Sequence, residues 1–100
     1  MSEDLSYLDL LVNISDIADA QRYDADDEGE FIESLILGSQ ALLYNAGAWD
    51  QKNPLTKVAI HLIVGHWLEN RDLMGYDYKS VENLPIGIKS IINSLRFWGG

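Results

Sequence analysis

The sequence predicts an all-α fold: one compact bundle of about four helices, with two long central helices and a C-terminal helix. Apolar residues recur at the helical period through two long segments, proline and glycine punctuate the ends of those segments, and no stretch alternates strongly enough for a sheet. At 100 residues the chain makes a single domain, with room for one modest core. Its 47% hydrophobic and 10% aromatic content is that of a globular protein.

A first short helix is expected near residues 4–12, where Leu5, Leu8, Leu11 and Val12 stand at helical spacing. Residues 13–30 are polar and turn-rich and predict a loop, with at most a helical turn near Ile17 and Ala18. The acidic run Asp26, Asp27 and Glu28 suits a helix N-terminus, where free backbone N–H groups and the helix dipole favour negative charge. The first long helix is predicted near 29–46. Its buried stripe is Ile32, Leu35, Ile36, Ser39, Leu42, Leu43 and Ala46, and Gly47 stands where a left-handed cap belongs.

Asn53-Pro54 reads as an N-cap followed by proline at the first helical position, which opens the second long helix, near 54–72. Its expected core stripe is Leu55, Ala59, Leu62, Ile63, His66 and Trp67, but Val58, Ile60, Val64 and Leu68 make much of the remaining circumference apolar too. Such a helix lies at the centre of a bundle or is covered by a second copy of the chain, and the pattern leaves both open. After a loop over 73–83, a last helix is predicted near 85–97, with Ile88, Ile91, Ile92 and Leu95 inward.

Composition narrows the function classes. The absence of cysteine excludes disulfides, thiolate metal sites and a cysteine nucleophile. The stretch MSEDLSYLDLL has no basic leader, and the longest apolar run, Val58 to Leu68, is too short to span a bilayer, so the expectation is an intracellular protein with no membrane partner. The net charge of −9 is concentrated at one end: residues 1–33 carry eleven acidic side chains against Arg22 alone, whereas residues 34–100 are close to neutral. Such a surface repels phosphate. It keeps the protein soluble, passes near DNA without sticking to it, or meets a basic partner.

The run HLIVGHWLENRD raises the question of a metal or catalytic site. His61 and His66 are five residues apart, roughly 140° around a helix, so they do not share a metal from one face. His66 with Glu69 is a weak pair without ligands from elsewhere. The acidic segment DADDEGE begins like a calcium loop, but counting from Asp24 its twelfth position, Leu35, is not the glutamate that closes such a loop. The glycines are too dispersed for a phosphate-binding loop. No cofactor, metal or catalytic residue is expected.

The layout as a whole closely resembles the small phage head–tail connector proteins, also called head completion or DNA packaging proteins. The residues that carry the resemblance are an acidic loop leading into EFIESLILGSQALL, the proline-started NPLTKVAIHLIVGHWLENRDLMG, a tyrosine-containing loop, and LPIGIKSIINSLR. It spans nearly the whole chain and is weakest over the first thirty residues. It implies a non-enzymatic virion structural protein, located at the head–tail interface and in the host cytoplasm during assembly. Copies would form a ring of about a dozen subunits beneath the portal protein, extend the DNA channel and give the next connector, stopper or tail protein a docking surface.

On that resemblance, His66, Trp67, Glu69, Arg71 and Tyr76 are subunit-interface candidates. Arg96, Phe97 and Trp98 are portal-docking candidates, and Asp24, Asp26, Asp27 and Glu28 face a channel through which DNA passes without specific binding. The competing expectation, from another class, is a small acidic regulatory or DNA-mimic protein that binds one basic partner through residues 16–33.

Overall fold

The computed structural model describes residues 5–70 and 84–99. Among the described residues a 3-10 turn at Ser6–Leu8 is followed by four helices, α1 (Ile14–Gln21), α2 (Ala25–Asn45), α3 (Pro54–Glu69) and α4 (Ile86–Gly99), and no strand occurs. The all-α bundle is as the sequence predicts, with both long helices and the C-terminal helix in place.

The ends of α2 and α3 follow from local chemistry. Asp24 caps α2 by accepting from the Asp26 amide at 2.9 Å, and Asp26, Asp27 and Glu28 occupy the first turn, where the dipole favours them. Helix α2 therefore begins at Ala25, four residues before the expected start. At its other end Gly47 takes φ +73° while the Ala48 amide reaches back to the Leu43 carbonyl at 2.8 Å. That is a left-handed glycine cap, with Ala48 tucked into the core behind it. In α3, Asn53 accepts from the Leu55 amide at 3.0 Å and Pro54 fills the first turn. The described helix closes at Glu69, with Asn70 as its cap; the expected continuation to 72 falls outside the described residues.

The core is one cluster drawn from all four helices. Ile17 and Ala18 of α1, Ile32, Leu35, Ile36 and Leu43 of α2, Ile60, Ile63, Val64 and Trp67 of α3, and Ile92 and Leu95 of α4 are all buried. Helix α3 packs against α1, α2 and α4. Gly65 lies against the end of the Gln21 side chain from α1: a Cβ there would stand 2.8 Å from Gln21 Nε2. Every buried side-chain nitrogen and oxygen among the described residues has a hydrogen-bond partner.

Two expectations are corrected. The helix near 4–12 is replaced, over the described residues, by a 3-10 turn, an extended Asp9 and a bend at Leu11 and Val12, and the helix comes later, as α1, inside the segment expected to be a loop. The cause is Gln40, fully buried in α2. Its Nε2 donates to the carbonyls of Tyr7 (2.8 Å) and Asp9 (2.7 Å), and its Oε1 accepts from the Leu11 amide (2.8 Å). A helix over 4–12 would consume those backbone groups internally. Tyr7 also stacks on Tyr44, with ring centroids 3.9 Å apart, and Trp49 Nε1 donates to Ser6 Oγ at 2.7 Å.

The second correction is the rolled orientation of α3. Of its expected core stripe, Ala59, Ile63 and Trp67 are buried, His66 is half-buried, and Leu55 and Leu62 are exposed, while Ile60, Val64 and Leu68 lie inward. The buried face sits roughly a quarter turn from the expected one, at 100° per residue. Periodicity fixes a helix's inward face only when its circumference is uneven, and this one is apolar nearly all round.

Replacing Gln40 with leucine should strand three backbone groups of the N-terminal segment and cost about 1–3 kcal/mol. Urea unfolding checks the magnitude. Hydrogen exchange should show the Leu11 amide losing protection while the Ile60 amide still exchanges only with global unfolding.

Candidate functional site

Once the core is filled, α3 keeps one exposed line. Leu55, Val58 and Leu62 are 36%, 45% and 41% exposed, and their spacing of three and four places them, with half-buried His66 and exposed Glu69, within an arc of roughly 80°. Three aliphatic side chains on one ridge, with exposed Lys57 and half-buried His61 beside it and the opposite face in the core, make the seam-like pattern by which one helix packs against another. Polar ends bracket the seam. At the C-terminal end, Asn70 Nδ2 donates to the His66 carbonyl at 2.8 Å and lies 3.2 Å from His66 Nδ1, which acts as the acceptor in this arrangement.

A second apolar line runs on α4. Ile86 (82% exposed) and Phe97 (90% exposed) are eleven residues apart, which puts them within roughly 20° of each other and about 16 Å apart along the axis. Ser90 and Asn93 lie between them on the same exposed face, opposite buried Ile88, Ile92 and Leu95. Arg96 is exposed beside Phe97.

The acidic patch is the start of α2. Asp26 and Asp27 are exposed and Glu28 is half-buried, while the Asp24 side chain is committed to the cap. Asp24 thus has a structural duty as the cap. Charge reversal across all four residues would remove the cap as well as the charge.

Not all the sequence-level candidates reach these surfaces. Trp67 is 2% exposed and belongs to the core, so its side chain is not part of an exposed interface on the single chain; it sits on the inward side because α3 is rolled. His66 and Glu69 do border the exposed seam. Arg71 and Tyr76 lie outside the described residues, as does the Trp98 side chain. Sequence periodicity assigned Leu55 and Leu62 to the core and passed over Ile86. A helical wheel of α4 drawn from Ile88, Ile92 and Leu95 would have placed Ile86 opposite them, beside Phe97.

Among the described residues no group of three or more His, Asp or Glu side chains is placed to hold a metal ion, and no helix is long and apolar enough to cross a membrane. No protein-family model, curated protein or solved structure matches the chain.

The two environments on α3 predict opposite sensitivities. Trp67→Ala should cost about 3–5 kcal/mol through lost burial and the cavity left behind, whereas Val58→Ser and Leu62→Ser should each cost less than about 1.5 kcal/mol. Urea midpoints of the three variants rank them directly. In the same assay Asp24→Ala should cost about 1 kcal/mol for the lost cap, against a few tenths for Asp27→Ala.

Proposed function

We propose that the chain is a structural subunit of a phage head–tail connector: copies close into a ring beneath the portal, extend the DNA channel and present a docking surface to the next connector or tail protein. The observation that carries this is the exposed Leu55–Val58–Leu62 line on a helix whose opposite face fills the core. The sequence resemblance supplies the architecture that would use it.

Ring subunits meet through two different patches, head to tail, so each copy needs an apolar face that its own fold leaves uncovered. The α3 seam is that face, with His66 and Glu69 at its border. The α4 terminus, with Arg96 and Phe97, is the portal-docking element, because Phe97 is anchored by nothing in its own core and large exposed aromatics serve as interface anchors. The start of α2 lines the channel. Its carboxylates give DNA no counterion-release gain, and the DNA slides past without being held.

Sedimentation velocity on the double variant Val58→Lys/Leu62→Lys tests the ring directly. The native chain should assemble, alone or with a portal added, while the variant stays a monomer with a nearly unchanged urea midpoint. Identical size distributions for the two would remove the seam from the assembly. The channel assignment has its own test: Asp26→Lys/Asp27→Lys/Glu28→Lys, with the Asp24 cap left in place, should acquire DNA affinity in low salt that falls steeply as salt rises. If DNA binding stays absent, those residues do not face a DNA path.

A further inference from the structure

Charge is shared unevenly among the described helices. Helix α1 carries Asp16 and Asp19 with no cation, α2 carries five carboxylates with no cation, and α3 sets Lys57 against Glu69. Helix α4 carries Lys89 and Arg96 and no carboxylate. In a chain of net charge −9 it is the one described helix with an excess of positive charge. Neither cationic side chain has an ion pair or a hydrogen bond among the described residues.

The helix fixes where these cations stand. Lys89 and Arg96 are seven residues apart, within roughly 20° of each other, and both lie roughly 60–80° from Ile86 in the same sense around the axis. They therefore form one flank of the line from Ile86 to Phe97, whose two ends are 82% and 90% exposed. Ser90 and Asn93 stand between those ends on the same face. One face of α4 thus presents two apolar anchors, two neutral polar side chains and a row of two cations that the fold leaves unpaired among the described residues.

The mixture selects the occupant. DNA would meet the two cations but leave Ile86 and Phe97 in water, and its phosphates would face a chain of net charge −9. A bilayer would take Phe97, but Ser90 and Asn93 would have to enter with it. A protein surface can offer apolar, hydrogen-bonding and acidic groups together. We propose that the α4 face docks in an apolar groove of a partner protein, edged by carboxylates on the side that meets Lys89 and Arg96. Exposed ion pairs add little affinity on their own, so Ile86 and Phe97 supply the binding and the cations select the partner and the direction in which the helix lies. The inference deepens the connector reading and rests on it for the partner's identity, which makes the groove part of the portal.

The test is calorimetric titration of the full chain, at physiological salt, with a synthetic amphipathic helix of leucine and glutamate, using a leucine–glutamine helix with the same apolar face as the charge control. The leucine–glutamate peptide should bind about tenfold more tightly than the control. Lys89→Gln/Arg96→Gln should abolish that difference, and Arg96→Gln, which alters only an exposed side chain, should already narrow it. Phe97→Ser should weaken both peptides by about tenfold while leaving the urea midpoint in place. Val58→Ser/Leu62→Ser, on the α3 seam, should bind both peptides as the native chain does.

Equal affinity of the native chain for the two peptides, or binding of neither, would overturn the proposal. So would unchanged binding by Phe97→Ser, or a loss confined to the seam variant. Phe97-dependent binding to phosphatidylserine vesicles without binding of either peptide would assign the face to lipid and overturn it too. The titration reads α4 without a portal, so its failure leaves the ring standing, and a chain that never forms rings can still pass it.

Discussion

The burial of α3 is the constraint on which the rest of the structure depends. This helix of sixteen residues is apolar over most of its circumference, and α1, α2 and α4 pack around it. Their combined cover reaches Ile60, Ile63, Val64, Trp67 and Leu68 but leaves Leu55, Val58 and Leu62 partly in water. At roughly 25 cal/mol per Å² of apolar surface, covering those three side chains would give an association driving force of a few kcal/mol before the costs of binding. The proposed assembly surface is thus the arc that a three-helix shell cannot reach.

Gln40 does for the N-terminal segment what the core does for the helices. A single buried amide satisfies two carbonyls and one N–H of the chain that crosses it, holding residues 7–11 against α2 without burying Leu8 or Leu10. This reverses the usual order, in which apolar side chains fix a segment and its backbone bonds follow. It also explains how three leucines remain at the surface of an otherwise ordered strap.

Much of the fold was legible in the sequence because its signals are local. Asp24 through Glu28, Gly47 and Asn53-Pro54 each act on their own helix end, and each does so here. What was not legible was set by partners distant in sequence. Helical spacing in LSYLDLLV predicted a helix because nothing local shows that Gln40, twenty-nine residues beyond Leu11, claims the backbone. The roll of α3 was equally hidden, since nearly every position could have faced inward. Of the site, His66, Glu69, Arg96 and Phe97 were named from sequence and lie at or beside the exposed lines, whereas Trp67 went to the core for the same reason that Leu62 left it. Ile86 escaped notice because its exposure shows only against the buried stripe of α4.

The proposed ring is tested most directly by native mass measurement with negative-stain imaging of the full chain at high concentration, alone and with a portal protein. Closed rings of about a dozen copies, in either condition, are the expected result. A monomer or dimer that persists even with the portal present would contradict the ring, and would leave the acidic first third as the surface of a module that binds a single basic partner.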